Sequence, residues 1–179
     1  ENEIKNLVNP AIEFALNAEI PKSNESDELN DVFFTQAVNQ KNPSKALKSL
    51  RFVDAIKDGL SQKMESDESV ILMGQDVAEY GGVFKISEGF VEKFGKSRVR
   101  NTPIIESGII GAAMGLALEG YKPVVEMQFA DFVSCGFNQI VNVAAKMYWR
   151  TKHPVPLVIR LPGGGGMGAG AFHSQNIEN

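Results

Sequence analysis

The sequence predicts an α/β fold in which helices cover both faces of a mostly parallel sheet. Segments with helical periodicity alternate along the chain with short apolar runs. The runs are continuous rather than alternating in polarity, which is typical of strands that are buried on both faces. Glycines such as Gly74, Gly95 and Gly120 follow these segments and mark where they end.

Composition excludes several functional classes. The chain has 179 residues and a formal net charge of -4, which argues against nucleic-acid binding through a basic face. One cysteine and two histidines exclude a disulfide framework and cysteine- or histidine-rich metal sites, so no metal ligand is predicted. Without an apolar run of about 18 residues, no membrane span is expected. No signal peptide is visible, and both ends resemble cuts in a longer polypeptide.

The first part of the chain reads as a helix followed by a linker. A helix is expected over 9–20, with Asn9 as its cap and Pro10 at its first position, where the missing N–H has no cost. From Lys22 the composition shifts to Ser, Asn, Asp and Glu, which bury little apolar surface. Residues 22–49 are therefore predicted to form a linker, with a short helix around Asp31–Val38.

Strands and helices alternate from Leu50 onward. A helix starts there, with Phe52, Ala55, Ile56, Leu60 and Met64 on one face. The expected strands are Ser69–Met73, Arg98–Arg100, Pro123–Gln128 and Pro156–Arg160, and the expected helices are Ile86–Phe94, Gly108–Leu118 and Phe137–Arg150. Ligands of parallel sheets bind beyond the carboxyl ends of the strands. The candidate ligand loops are therefore Gly74–Gly82, Gln128–Cys135 and Gly163–Ser174.

Two glycine patterns have alternative interpretations. Gly163–Gly168 fits the dinucleotide pattern G-x-G-x-x-G after a strand, but a helix and an acidic residue should follow, so a flexible active-site loop is favoured. In the helix Gly108–Leu118, Gly108, Gly111, Ala112 and Gly115 form one stripe. Such a stripe indicates close approach of a neighbouring helix, backbone or partner.

Glu106 and His173 are the candidate reactive residues. Glu106 precedes a helix, where a carboxylate is usually stabilised by the helix dipole. Its neighbours Ile104, Ile105, Ile109 and Ile110 suggest an apolar setting, in which the carboxyl could share a proton with a ligand nitrogen. His173 follows the glycine loop, where a surface position is the simpler alternative. His153 reads as a surface residue, and Phe129 and Phe132 as core or a stacking platform.

Four motifs together resemble the β subunit of the E1 component of 2-oxo acid dehydrogenases, which are thiamine-diphosphate-dependent decarboxylases. They occur in order along 50–175 and are Gly74–Phe84, Thr102–Gly115, Glu126–Phe132 and His173–Gln175. The Gln-Phe-Ala-Asp-Phe version is closer to the branched-chain (2-oxoisovalerate) type than to the pyruvate type. Residues 1–49 look like the end of an E1 α region and its join to β, as in a fused α–β chain.

The resemblance implies roles for particular residues. Glu106 matches the glutamate that hydrogen-bonds the pyrimidine nitrogen of the cofactor, and Phe132 matches the aromatic residue that packs on the pyrimidine. Gln128 lines the same pocket, and Asp76 lies in a loop near it. His173 matches a histidine linked to acyl transfer to lipoamide. Leu157 lies near the backbone that binds a structural potassium ion.

The resemblance also implies the fold and the missing parts. Residues 50–179 would form the pyrimidine-binding domain of the thiamine-diphosphate-binding fold. The Gly-Asp-Gly motif that holds the diphosphate and Mg²⁺ in this family is absent, so a partner domain would supply it. The implied partners are the E1 α region, a second β copy, the lipoyl-bearing E2 and a 2-oxo acid. The implied compartment is the cytoplasm, or the mitochondrial matrix in a eukaryote.

Three other interpretations stay open. The parent could act on pyruvate rather than a branched-chain substrate, or be transketolase-like or deoxyxylulose-phosphate synthase-like. The chain could be a non-catalytic nucleotide-binding module built on 163–170. The third alternative is a subunit-interface module whose glycine stripe contacts a partner.

Overall fold

The computed structural model describes residues 1–35, 37, 48–164, 166 and 168–177, which fall into two compact units, Glu1–Val32 and Phe33–Asn179. In the described part of the chain no helix is both long and apolar enough to cross a membrane.

The first unit consists of two helices, α1 (Asn2–Asn17) and α2 (Glu25–Asn30). Helix α1 starts seven residues before the predicted position, so Pro10 lies inside it rather than at its first position. The apolar residues Ile4, Leu7 and Val8 extend the helical spacing upstream, and this outweighs the hydrogen bond that Pro10 cannot donate. Every residue of α1 is exposed.

Helix α2 lies within the segment predicted to be a linker. The side chain of Asn24 accepts hydrogen bonds from the backbone N–H groups of Ser26 and Asp27, and this cap starts the helix. The helix predicted around Asp31–Val38 is wrong at residues 31–35, which form a turn and an irregular stretch. Residues 36 and 38 of that prediction lie outside the described residues.

The second unit contains a parallel sheet of four strands in the order β2-β1-β3-β4. The strands are β1 (Val70–Gly74), β2 (Val99–Asn101), β3 (Lys122–Glu126) and β4 (Val158–Arg160). Each overlaps a predicted strand and differs from it by a few residues at its ends. Because β3 ends at Glu126, Gln128 lies in the following loop and not in the strand.

Helices cover both faces of this sheet, as predicted. On one face, α3 (Phe52–Ser66) and α4 (Phe90–Phe94) contribute Met64 and Phe90 to a core with Leu72. On the other face, α5 (Glu106–Leu118) contributes Ile109 and Ile110 to a second core. Residues of a π-helix (Asn138–Ala144) and of α6 (Ala145–Thr151) pack against the second core. Phe52, expected on the apolar face of α3, is 83% exposed.

Two predicted helices differ in form. Helix α4 covers only the last part of the predicted Ile86–Phe94, because Gly89 has a φ of 84°, which a right-handed helix cannot include. The predicted helix Phe137–Arg150 is a π-helix that passes into α6, and a 3₁₀ helix (Ala130–Gly136) precedes it. That 3₁₀ helix begins four residues after the end of β3 and contains the candidate site residue Phe132.

Candidate active site

The candidate site residues gather at the carboxyl ends of the strands. Gln75 and Asp76 follow β1, Glu106 follows the loop after β2, and Gln128 follows β3. Parallel strands bring these ends to one edge of the sheet, which is where such sheets bind ligands. Residues far apart in sequence therefore meet here.

Glu106 is the first residue of α5 and is half-buried. Its Oε1 accepts a hydrogen bond of 3.2 Å from Nε2 of Gln75, whose side chain is buried behind it. The helix N-terminus favours negative charge at this position by about 0.3–1 kcal/mol. From the residues that the structure describes, Oε2 accepts no hydrogen bond. One oxygen is thus held from behind while the other is available to a ligand.

The apolar enclosure predicted for Glu106 is only half present. Ile109 and Ile110 are buried beneath it in the second core, but Ile104 is 83% and Ile105 54% exposed. The two exposed residues lie in the loop before α5, where the chain turns out of the sheet. Of the four apolar neighbours that the sequence predicted, Ile104 and Ile105 therefore face solvent.

Asp76 and Gln128 form a second contact at this edge. Nε2 of Gln128 donates to Oδ2 of Asp76 over 3.2 Å and joins the loops after β1 and β3. Asp76 has a φ of 56°, in the left-handed region that few residues other than glycine adopt. The two predicted cofactor-binding residues therefore contact each other.

Phe132 and His173 lie in one aromatic cluster. The imidazole ring of His173 packs edge-on against Phe129, with ring centres 4.9 Å apart, and against Phe132 at 5.6 Å. Phe129 also contacts Phe132 at 6.0 Å and Phe84 at 6.2 Å. His173 is half-buried, whereas the simpler alternative for this residue was a fully exposed surface position. These edge-to-face contacts define the ring positions.

The 3₁₀ helix Ala130–Gly136 packs against the start of α5. A methyl group added to Gly136 would lie 2.4 Å from Cδ1 of Ile110 and 3.7 Å from the carbonyl oxygen of Glu106. This close approach connects the segment that carries Phe132 to the helix that begins with Glu106. At the α5 glycine stripe, Gly111 faces the side chain of Gln139 from the neighbouring π-helix at 3.8 Å, and around Gly115 nothing within the described residues lies within 4 Å. The contact of this stripe with a partner stays a prediction.

Sequence reasoning missed a buried ion pair at the ends of β3 and β4. The Glu126 side chain is 3% exposed, and its Oε2 accepts a 3.0 Å hydrogen bond from Nε of Arg160. Nη2 of Arg160 lies 2.9 Å from the same oxygen, but its N–H bonds meet no acceptor in good geometry among the described residues. Burial raises the pKa of Glu126, and the Arg160 charge opposes this shift. A charged residue on each of two adjacent apolar strands was the available signal.

Gln75 was missed as well. It directly follows β1 in a loop already expected to face a ligand, and that position was the available signal. Its partner Glu106 is 31 residues away in sequence, so the pairing itself has no local signature.

The described residues at this edge include one carboxyl group with a free oxygen and one aromatic cluster. Glu106 offers an oxygen that can share a proton with a ring nitrogen, and Phe129 and Phe132 offer apolar ring edges. Among the described residues there is no group of three or more His, Cys, Asp or Glu side chains that could hold a metal ion.

Over residues 48–179 the sequence matches the family described as "Transketolase, pyrimidine binding domain". The chain belongs to this family. Its parallel sheet with helices on both faces is the transketolase-like pyrimidine-binding fold. A solved structure described as a split-gene transketolase, an inactive β4 tetramer, aligns with a TM-score of 0.47 and 19% identity over 63% of this chain and 33% of that chain.

The curated relatives of this pyrimidine-binding chain carry two kinds of name. It is 43% identical over 131 residues to the 2-oxoisovalerate dehydrogenase subunit beta of Bacillus subtilis, a match that covers 72% of this chain and 40% of the relative. It is 47% identical over 138 residues to the pyruvate dehydrogenase E1 component subunit beta of Leifsonia xyli, covering 76% of this chain and 41% of the relative. The chain thus spans about two fifths of the length of these relatives.

Proposed function

We propose that this chain is the pyrimidine-binding region of an E1 β subunit, part of a thiamine-diphosphate-dependent 2-oxo acid dehydrogenase. The observation that carries the proposal is the position of Glu106: half-buried at the start of α5, held by Gln75 at 3.2 Å, at the carboxyl edge of the parallel sheet. Relatives named as the β subunits of a 2-oxoisovalerate dehydrogenase and of a pyruvate dehydrogenase E1 component support the same assignment.

In this proposal Glu106 binds the pyrimidine nitrogen of the cofactor and shares a proton with it through Oε2. Gln75 fixes the carboxyl through Oε1, so that the other oxygen stays directed to the ring. Phe132 packs on the pyrimidine, and Gln128 and Asp76 close the side of the pocket. The cofactor, when bound, supplies the electron sink for decarboxylation of the 2-oxo acid.

His173 is proposed to handle the acyl group on its way to lipoamide. Its ring is held by Phe129 and Phe132 at the border of the same site, where it can donate or accept a proton. The proposed partners are the E1 α region, a second β copy and the lipoyl-bearing E2. The α region would carry the diphosphate and Mg²⁺, and a potassium ion near Leu157 stays a prediction. The compartment, cytoplasm or mitochondrial matrix, also stays a prediction.

The branched-chain substrate is favoured by the motif Gln128–Phe132, while the relatives include both branched-chain and pyruvate enzymes. The nucleotide-binding alternative has less support. The residues described after Gly168 form only the 3₁₀ helix Gly170–Phe172, whereas a dinucleotide fingerprint needs a helix N-terminus at that point.

The test is turnover of the complete protein, assembled with its α region, with 2-oxoisovalerate and with pyruvate. Glu106→Gln should lower kcat by about 10²–10⁴-fold, because the amide cannot share a proton in the same way, and should leave thermal unfolding unchanged. Glu119→Gln is the matched control, since Glu119 is exposed at the other end of α5. Near-normal turnover of Glu106→Gln rejects the role, and a higher kcat/KM for pyruvate rejects the branched-chain assignment.

Binding to the chain alone gives a second test. Because the diphosphate-binding motif is absent, we expect this chain by itself to bind thiamine diphosphate very weakly and to be inactive. Calorimetric titration that found micromolar affinity would contradict the division of the site between two regions. Tight binding of NAD or ATP would instead support the nucleotide-binding alternative.

A further inference from the structure

The segment that carries His173 folds back onto the start of the 3₁₀ helix Ala130–Gly136. The backbone N–H of Gln175 donates a hydrogen bond of 3.3 Å to Oδ1 of Asp131. Gly163 lies between the two segments: a methyl group placed on it would be 3.0 Å from Cβ of Ala130 and 3.0 Å from Oδ1 of Asn176. The loop after β4, the 3₁₀ helix and the stretch from His173 to Asn176 are therefore in close contact.

Asp131 has no role in the cofactor chemistry proposed above. Its Oδ2 is buried and has no hydrogen-bond partner among the described residues. Burying a carboxylate oxygen without a donor is unfavourable, and a neutral side chain would avoid that cost. Among the described residues, the Asp131 carboxylate accepts one hydrogen bond, at Oδ1 from the backbone N–H of Gln175, and this bond can offset part of the cost of burial.

The position of this bond connects Asp131 to His173. Gln175 is two residues beyond His173, and Phe129 and Phe132 lie on either side of Asp131 in the sequence. The same short segment thus supplies the two rings that the imidazole contacts and the carboxylate that holds the chain next to it. A hydrogen bond to a backbone N–H fixes the course of the chain, while the aromatic contacts fix only the side chain.

We propose that Asp131 is a positioning residue: through its hydrogen bond to the Gln175 backbone it holds His173 against Phe129 and Phe132. The contacts above support this position of the His173 ring. The importance of that position for acyl transfer rests on the function proposed for His173. The experiment therefore measures the position of the ring and not enzymatic turnover.

The probe is the imidazole of His173 in NMR spectra of the chain. The chain has two histidines, so a His153→Gln variant assigns the remaining imidazole signals to His173. Packing against two aromatic rings should shift the ring protons of His173 away from random-coil values. Hydrogen exchange of the Gln175 amide measures the bond to Asp131 in the unaltered chain, and we expect this amide to be protected about tenfold or more.

Two substitutions and a control complete the test. Asp131→Ala should return the His173 ring protons toward random-coil values and remove the protection of the Gln175 amide. Asp131→Asn should keep both, because the amide oxygen still accepts from the backbone N–H. Ser134→Ala removes the hydrogen bond that Ser134 donates to the Asp131 carbonyl and leaves the Asp131 carboxylate in place, so it should change neither signal.

Several outcomes would overturn the proposal. An unprotected Gln175 amide in the unaltered chain would show that the bond does not hold the segment, whatever the variants do. Unchanged His173 signals in a folded Asp131→Ala variant would do the same, and so would an Asp131→Asn variant as disturbed as Asp131→Ala. If His173→Ala leaves turnover normal while the spectra behave as expected, the role of His173 fails and the positioning by Asp131 stands.

Discussion

Replacing Arg160 by Met should destabilise the protein strongly, because it leaves Glu126 buried without its counter-charge. The Glu126 side chain is 3% exposed and the Arg160 side chain 17% exposed, so water cannot replace the lost partner. Breaking a buried ion pair at one side costs about 3–5 kcal/mol. Since Met keeps an apolar stem of similar length, little of this loss would come from packing.

Urea unfolding followed by circular dichroism measures the effect. With an m-value of about 2 kcal/mol/M, the midpoint of Arg160→Met should fall by about 1.5–2.5 M. Glu126→Gln/Arg160→Met should recover much of this, because both charges are then gone. Arg51→Met is the control: the Arg51–Asp54 ion pair is exposed, with side chains 78% and 39% accessible, so water screens it and its loss should barely move the midpoint.

The pH dependence has a definite sign. Burial raises the pKa of Glu126 in the folded protein above its unfolded value, and loss of the Arg160 charge should raise it further. The stability of Arg160→Met should therefore fall as pH rises from the unfolded pKa of Glu, about 4.3, through the folded pKa. The double variant should lack this slope. The reasoning would be refuted if Arg160→Met unfolded at the same urea concentration as the wild type, or if the double variant were no more stable than Arg160→Met.

Two further predictions concern packing and acid stability. Gly136→Ala should lower the free energy of unfolding in urea by about 1–3 kcal/mol, because the new methyl group meets the fully buried Ile110. Gly59→Ala in α3 is the control: nothing lies within 4 Å of the added methyl group, so this change should be neutral or stabilising by up to about 1 kcal/mol. Equal effects of the two substitutions would contradict the close contact at Gly136. Lys122, Lys63 and Ser69 hydrogen-bond the Asp67 carboxylate and lower its pKa, so the stability that it contributes is present above the unfolded pKa and is lost as pH falls through the folded value. Asp67→Asn should thus flatten the acid side of a stability-versus-pH curve, and a curve that keeps the wild-type slope would argue against this network.

The local sequence contains enough information for the fold class and for the order of the strands and helices. Continuous apolar runs such as Val70–Met73 are recognisable without any tertiary contact, because burial on both faces of a strand demands them. Glu106 is a candidate from its place before a helix among apolar neighbours, and His173 is one from its place after a glycine loop; both assignments stay predictions. The match over residues 48–179 confirms the pyrimidine-binding domain that the resemblance implies.

Element ends were less predictable, and each error has a local cause. The left-handed Gly89 shortens α4, and α1 includes Pro10 because apolar residues continue its periodicity upstream. Helix α2 forms where the composition suggested a linker, because Asn24 caps it. A capping residue or a left-handed residue sets a helix end through its backbone geometry, and the average composition of a segment does not reveal that geometry.

By itself, the sequence predicted a parallel sheet and ligand loops beyond its strands that contain Gln128, Phe132 and His173, with Glu106 as a candidate at the start of a helix. Only the tertiary structure decided which of these residues meet. Gln75 reaches Glu106, Gln128 reaches Asp76, and Gln175 reaches Asp131 across separations of 31, 52 and 44 residues. Such contacts depend on strand register and on the course of the connecting loops, whereas periodicity describes only neighbours within a few residues. The buried pair of Glu126 and Arg160 exists for the same reason: β3 and β4 are adjacent, and their register places these two residues side by side.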